Sequence, residues 1–210
     1  MLLTKYEHAC FSVEIDGKVL VVDPGNFTTN FKVTDNIVAI VITHEHADHF
    51  DPNILAAIYD KNPDSILVSL ESIIEKMPDH KSHAVIAGDT VKIGSFELEF
   101  FGGTHAQIHP GIPLIDNVGV LINEKLYYPG DSFALPNKLV DVLALPVSAP
   151  WLKISETIDF LMAIKPRLTF PTHDAIFSDF GKGIADRLIP NFTETIGTEY
   201  RRLDGTAIEI

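Results

Sequence analysis

Apolar and polar positions along the chain fall into short, repeated patterns. Phe11, Val13 and Ile15 alternate with polar residues, the period-two sign of a strand with one buried face. Asp16-Gly17 marks a hairpin turn, and Val19-Leu20-Val21-Val22 returns as a buried strand that Asp23-Pro24-Gly25 breaks. Residues 26–36 read as a surface loop. Ile37-Val38-Ala39-Ile40-Val41-Ile42 is a continuous apolar run rich in β-branched residues, as expected of a strand buried on both faces. Asp51 is a good N-cap and Pro52 a good first residue for a helix over 52–59. A short strand over 65–68 and a short helix over 71–76, stopped before Pro78, follow.

Further hairpins are expected over 89–93 with 95–101, around Gly94, and over 118–122 with 125–128, around Asn123-Glu124. In the first of these Phe96, Leu98 and Phe100 face one way while Glu97 and Glu99 face the other. The remaining elements are a strand over 140–145, a helix over 155–164 capped by Ser155 and ended by Pro166, a strand over 168–170, and a helix within 179–188. A closing hairpin joins 200–203 to 207–210 around Asp204-Gly205. Two packed sheets with helices outside would bury the apolar strand runs.

Composition narrows the class. A chain of 210 residues suffices for one α/β domain over 1–210. No apolar segment approaches the ~20 residues of a membrane span, so no membrane role is expected. The opening residues run straight into strand-like alternation and do not read as a signal peptide. Cys10 is the only cysteine, which rules out an intrachain disulfide framework and makes the cytoplasm the expected compartment. A formal charge of −13 disfavours nucleic acid as a partner, because Lys and Arg contacts to phosphates drive that binding. A small-molecule substrate in a local pocket is compatible with an acidic surface. So is a homo-oligomer.

The chemistry concentrates in Thr43-His44-Glu45-His46-Ala47-Asp48-His49, on the loop between the apolar strand and the helix that starts at Pro52. Imidazole nitrogens and carboxylate oxygens are ligands that zinc, manganese and iron accept. His44 and His46, two apart on an extended turn, can point the same way, and Asp48 and His49 can face a second centre. His44, His105, Asp131 and His173 each follow closely on an expected strand, so four segments can deliver ligands to one edge of a layered structure.

The His-x-His-x-Asp-His string resembles the signature of the metallo-β-lactamase superfamily. Gly103-Thr104-His105, Tyr128-Pro129-Gly130-Asp131-Ser132 and Pro171-Thr172-His173 extend the resemblance in the family's order. Tyr6-Glu7-His8-Ala9-Cys10-Phe11 followed by Val22-Asp23-Pro24-Gly25 is similar to its small single-domain branch of ascorbate-6-phosphate lactonase-like proteins. The resemblance implies an α/β fold, a four-layer αβ/βα sandwich of two mixed sheets flanked by helices, with the metals at one edge. Position by position, it implies His44, His46 and His105 at a first ion, Asp48, His49 and His173 at a second, and Asp131 bridging them. The expected cofactor is two divalent metal ions, zinc first, with manganese or iron as alternatives. The expected activity is hydrolysis of a small-molecule ester, lactone or phosphodiester by a metal-activated hydroxide.

Asp48, His8 and His109 are the candidate catalytic residues: Asp48 orients the attacking hydroxide, while His8 and His109 support proton transfer or contact substrate. Asp23 is expected to support a metal-binding histidine. His80 and His83 read as solvated bystanders, Cys10 as a small buried strand residue, Trp151 as a core residue rather than a pocket wall, and Lys153 as solvated. Three other readings compete. A nucleic-acid-processing metallo-nuclease would need a basic surface, a di-iron redox protein would carry Glu where His46 stands, and a non-catalytic metal-binding protein would tend to lose ligands that are all present here.

Overall fold

A computed structural model describes residues 1–203 and 205–210. The first half builds one sheet. Strands β1 (Leu2–Lys5), β2 (Phe11–Ile15), β3 (Lys18–Val22) and β4 (Ile37–Ile42) lead into helix α1 (Pro52–Lys61), strand β5 (Ile66–Ser69), helix α2 (Glu71–Ile74) and strand β6 (Ser82–Ala84). The second half builds the other sheet: β7 (Thr90–Ile93), β8 (Phe96–Gly102), β9 (Val118–Ile122), β10 (Leu126–Tyr128), β11 (Val142–Pro146), α3 (Ile154–Ile164), β12 (Leu168–Thr172), α4 (Asp179–Leu188), α5 (Pro190–Ile196) and β13 (Glu199–Tyr200). Strand β14 (Ile208–Glu209) crosses back.

The sheets have the orders β14-β1-β2-β3-β4-β5-β6 and β13-β12-β11-β10-β9-β8-β7, each mixed and seven-stranded. Short turns make the antiparallel pairs, Phe11 with Val22 in one sheet and Phe96 with Ile93 in the other. Helical crossovers make parallel pairs such as β4 with β5 and β11 with β12, while loops alone join β3 to β4 and β10 to β11 in parallel. The loops after β4 and β12, one from each sheet, meet at one edge, where His173 Nε2 lies 3.2 Å from His49 Nε2.

Between the sheets, Leu3, Phe11, Val13 and Leu20 pack with Phe96, Leu98, Phe100 and Phe170. Outside the first sheet, Val21, Ile40 and Ile42 pack on Leu55, Ile58 and Tyr59 of α1. Outside the second, Tyr127, Leu143 and Leu145 pack on Phe160 and Leu161 of α3. The result is the expected αβ/βα layering. The period-two reading of β8 holds, with Phe96, Leu98 and Phe100 buried and Glu97 exposed. Helix α1 starts as expected, with the Asp51 carboxylate accepting from the Asn53 N–H at 2.8 Å.

Four readings need correction. The closing hairpin does not form: Leu168 and Thr169 of β12 pair in parallel with Glu199 and Tyr200, whereas Ile208 pairs antiparallel with Leu3 in the other sheet. Asp204 of its expected turn lies outside the described residues. Helix α3 starts one residue earlier than expected, with Lys153 rather than Ser155 at the cap; Glu156 accepts from the Lys153 N–H at 3.4 Å. Helix α5, with Pro190 in its first turn, follows α4 directly and was not expected. The polar connector holding His80 and His83 contains edge strand β6, and the His80 ring stacks on Tyr59 with centroids 3.7 Å apart. No helix among the described residues is long and apolar enough to cross a membrane.

Candidate metal centre

The loop after β4 is braced from beneath. Asp23, fully buried at the end of β3, accepts from the Thr43 N–H at 2.8 Å and from the Thr43 hydroxyl at 2.6 Å. Its Oδ2 also takes His49 Nδ1 at 2.6 Å. Gly25 lies against the same loop, where a Cβ would sit 2.0 Å from the Asp48 carbonyl, and the Asn26 N–H donates to the Ala47 carbonyl at 2.8 Å. A side chain at position 25 would displace the loop, so Asp-Pro-Gly does more than turn the chain.

These braces assign protons. The Thr43 hydroxyl spends its hydrogen on Asp23, so it accepts from His44 Nδ1–H at 3.1 Å. His49 Nδ1–H donates to Asp23, and His105 Nδ1–H donates to the Ala106 carbonyl at 2.5 Å. His173 Nδ1 lies 3.0 Å from the Thr172 hydroxyl. All four rings are therefore engaged on their Nδ1 side and turn Nε2 inward.

The inward nitrogens meet one carboxylate. Asp131 Oδ2 is 3.1 Å from His105 Nε2 and 4.0 Å from His44 Nε2, while Oδ1 is 2.5 Å from His173 Nε2 and 3.2 Å from His49 Nε2. His46 Nδ1 lies 3.1 Å from His44 Nε2, and His173 Nε2 lies 3.2 Å from His49 Nε2. Donor atoms of His44, His46, His105 and Asp131 fall within 4.8 Å of one another, and so do those of His8, His49 and His173. Facing imidazole nitrogens at contact distance, beside a buried carboxylate, need a shared proton or cation. This donor set fits a divalent metal.

The electrostatics agree. Burial opposes a charge on His49, but Asp131 and Asp23 more than offset it and raise its pKa well above the usual imidazole value. Burial and then the His49 charge drive His44 well below it. Burial alone would raise Asp131, yet His173 and His49 hold it well below the carboxylate range. A proton on His49 thus does part of what a cation would do.

The remaining candidates separate. His8 is buried on a left-handed backbone (φ 53°), with Nε2 2.9 Å from Asp48 Oδ2. Burial lowers its pKa to about 4 and, although burial raises Asp48, the hydrogen bond from His8 leads the effects that lower Asp48 to about 2. His8 is therefore neutral and donates Nε2–H to an ionised Asp48, while its buried Nδ1 has no hydrogen-bond partner among the described residues. Asp23 (φ 45°) and His173 (φ 63°) are also left-handed, so strained backbone gathers at this edge.

His109 does not join the cluster. It is exposed, and its Nδ1 accepts from the Gly111 N–H at 3.0 Å, which makes it a turn-closing residue. Trp151 corrects the core reading: its indole N–H donates to Asp131 Oδ2 at 2.7 Å and its ring lines the cavity over the cluster. Lys153 is solvated as expected, and Cys10 is buried with its thiol pKa pushed up by burial. The sequence reading missed Asn117, whose Oδ1 accepts from the Asp131 N–H at 2.9 Å and whose Nδ2 donates to the Pro129 carbonyl at 3.0 Å. It follows Asp116 directly before β9, and only the tightness of Gly130, where a Cβ would meet Asn117 at 2.3 Å, hints at its place.

Comparisons with known proteins agree with this geometry. Residues 2–173 match the family described as the beta-lactamase superfamily domain. The Mycobacterium tuberculosis protein Rv0786c is 36% identical over 200 residues, covering 93% of this chain and 94% of that one. A UPF0173 metal-dependent hydrolase of Methanocaldococcus jannaschii is 24% identical over 194 residues, covering 82% of this chain and 83% of its own. Among solved structures, Igni18, a metallo hydrolase of Ignicoccus hospitalis, superposes with a TM-score of 0.73 at 19% identity, covering 100% of this chain and 98% of that one. The metallo-beta-lactamase fold protein YhfI of Bacillus subtilis gives a TM-score of 0.73 at 15% identity, with coverage of 99% and 98%.

Proposed function

Because the chain belongs to the beta-lactamase superfamily and is one of its metal-dependent hydrolases, we propose that it holds two divalent ions and hydrolyses a small-molecule ester, lactone or phosphodiester. The observation that carries this reading is the division of the Asp131 carboxylate, one oxygen toward His44 and His105 and the other toward His49 and His173. On this reading His44, His46 and His105 hold one ion, Asp48, His49 and His173 the other, and Asp131 both. Zinc is the first candidate, with manganese or iron as alternatives, since His and Asp donors suit each.

Two such ions, when bound, lower the pKa of water and stabilise charge on a reacting oxygen. The residues around them manage protons and shape. Asp48, ionised and held by His8, offers a carboxylate oxygen that can orient water or take a proton at the cavity floor. His8 fixes that carboxylate through Nε2–H. The Trp151 N–H and the Asn117 side chain fix the rotamer and the backbone of Asp131.

The test is metal analysis of protein purified without chelator, beside Asp131→Asn, together with a hydrolysis screen of esters, lactones and phosphodiesters. Two ions per chain in the parent, metal loss from both centres in the variant and turnover of one substrate class are expected. A parent with one ion, or a variant with full metal content, overturns the assignment.

A further inference from the structure

The cluster lies at the floor of a cavity of about 390 Å³, and the walls above it differ in character from the floor. The three loops over residues 26–36, 106–116 and 147–155 contribute Phe27, Ile108, Ala149 and Trp151, and Ile176 closes the far side. Among the described residues lining the cavity there is no Lys or Arg. Phe27 and Ile176 are 41% and 49% exposed, so they hold apolar surface open to solvent at the mouth.

The apolar surface continues. A groove of about 340 Å³ shares Ser148 and Ala149 with the cavity and is lined by Leu152, Ile154, Phe177, Ile184 and Leu188. Ile184 is 57% exposed, one turn beyond Phe180, which is 88% exposed. Nearby cations do not reach the cavity. Lys5, Lys182 and Arg202 line a neighbouring cavity that, among the described residues, shares only His8 and Phe27 with it. There Arg202 is paired with Asp174 and Asp186, and Lys5 Nζ donates to the Tyr6 carbonyl.

A charged group on a substrate, away from its reacting centre, would be desolvated against these walls without a partner. An apolar group would gain by burial there. We propose that the substrate is an uncharged ester or lactone with an apolar acyl tail, its carbonyl at the metal centre and its tail running past Ala149 into the groove beside Ile184. This rests on the hydrolase reading above. Water adds its oxygen to the carbonyl carbon, the bond to the leaving oxygen breaks, and a proton passes to that oxygen, giving an acid and an alcohol from an ester or a single hydroxy acid from a lactone.

Trp151 is the only tryptophan in the chain and lines the cavity, so its fluorescence reports occupancy directly. Metal-loaded protein is titrated with alkan-1-ols from butanol to decanol, which are uncharged and not hydrolysed. Affinity should rise about fourfold per methylene. Ile184→Asp should keep its metal content and lose the rise for the longer alcohols. In parallel, kcat/KM for nitrophenyl esters should climb from acetyl to octanoyl, exceed that for bis(nitrophenyl) phosphate, and lose its climb in Ile184→Asp. Affinity independent of chain length, or preference for the phosphodiester, overturns the proposal. Chain-length-dependent binding with no turnover of any ester, lactone or phosphodiester leaves the tail site standing and overturns the hydrolase reading. Ester turnover without chain-length dependence does the reverse.

Discussion

The two sheets supply the proposed metal centre by different devices. The first gives a contiguous loop after β4, in which His44, His46, Asp48 and His49 lie within six residues. The second gives one residue per strand end: His105 after β8, Asp131 after β10 and His173 after β12. The loop has no ladder of its own and borrows rigidity from Asp23 and the flush contact at Gly25. The strand-end residues sit next to ladders that already fix the backbone, so each needs only a local partner, such as Ala106, Asn117 or Thr172. A loop motif is thus dense in sequence but dependent on a brace elsewhere, whereas strand ends are dispersed in sequence but rigid by construction.

The strongest challenge to this contrast is Asp131→Asn, since one second-sheet residue faces donors from both sheets. Hydrolysis should fall by more than about a hundredfold, the upper range for a merely supporting residue. Metal analysis should show both ions weakened, and loss of one alone would mean that the halves act separately. Asp23→Ala comes next. Removing a buried carboxylate that holds Thr43 and His49 should cost about 3–5 kcal/mol in denaturant unfolding and about 10–100-fold in metal affinity by chelator competition. An unchanged metal affinity would show that the loop is self-supporting.

Lys5 of β1 gives a comparison inside the first sheet but off the loop. Burial lowers its ammonium pKa from 10.5 to about 8. The unfolded chain then binds more protons between about pH 8 and 10.5, so stability rises with pH through that window and the full penalty is present below it. Lys5→Met should remove up to about 3 kcal/mol of this penalty at pH 7, with the gain over the parent fading toward pH 10.5 in paired melts. A pH-independent difference would contradict it. The smallest effect is expected of Trp151→Phe, which puts a phenyl ring in place of the indole and removes the N–H on Asp131. The lost hydrogen bond to a charged group, about 1.5–3 kcal/mol, should appear as weaker metal binding with little change in melting of the chelated protein.

The same contrast governs what the sequence disclosed. His44 to His49 carry their ligand chemistry in a six-residue string, and the flanking apolar run and Asp51-Pro52 place it correctly. His105, Asp131 and His173 became legible only as partners that the string demands. The hairpins around Gly94 and Asn123-Glu124 were readable because a turn fixes both partner and register. The end of the chain was not: Glu199–Tyr200 and Ile208–Glu209 are two-residue strands, and alternation over so short a span says that a strand exists but not which sheet it joins. Trp151 failed for another reason. A buried indole and one whose N–H grips Asp131 look identical in sequence. His109 lies outside the cluster, and its ring accepts from the Gly111 N–H of its own turn.

Donors from both sheets meet at a single edge, where the His173 N–H also donates to the His8 carbonyl at 3.1 Å. A cation held there would act as a removable staple between the layers, added to backbone bonds such as that from the Val118 N–H to the Thr43 carbonyl at 3.0 Å. Its removal should loosen the molecule unevenly. In hydrogen–deuterium exchange, amides at the ends of β4 and β12 should exchange faster after chelation through local opening, while those of edge strand β7, which delivers no candidate ligand, keep their protection.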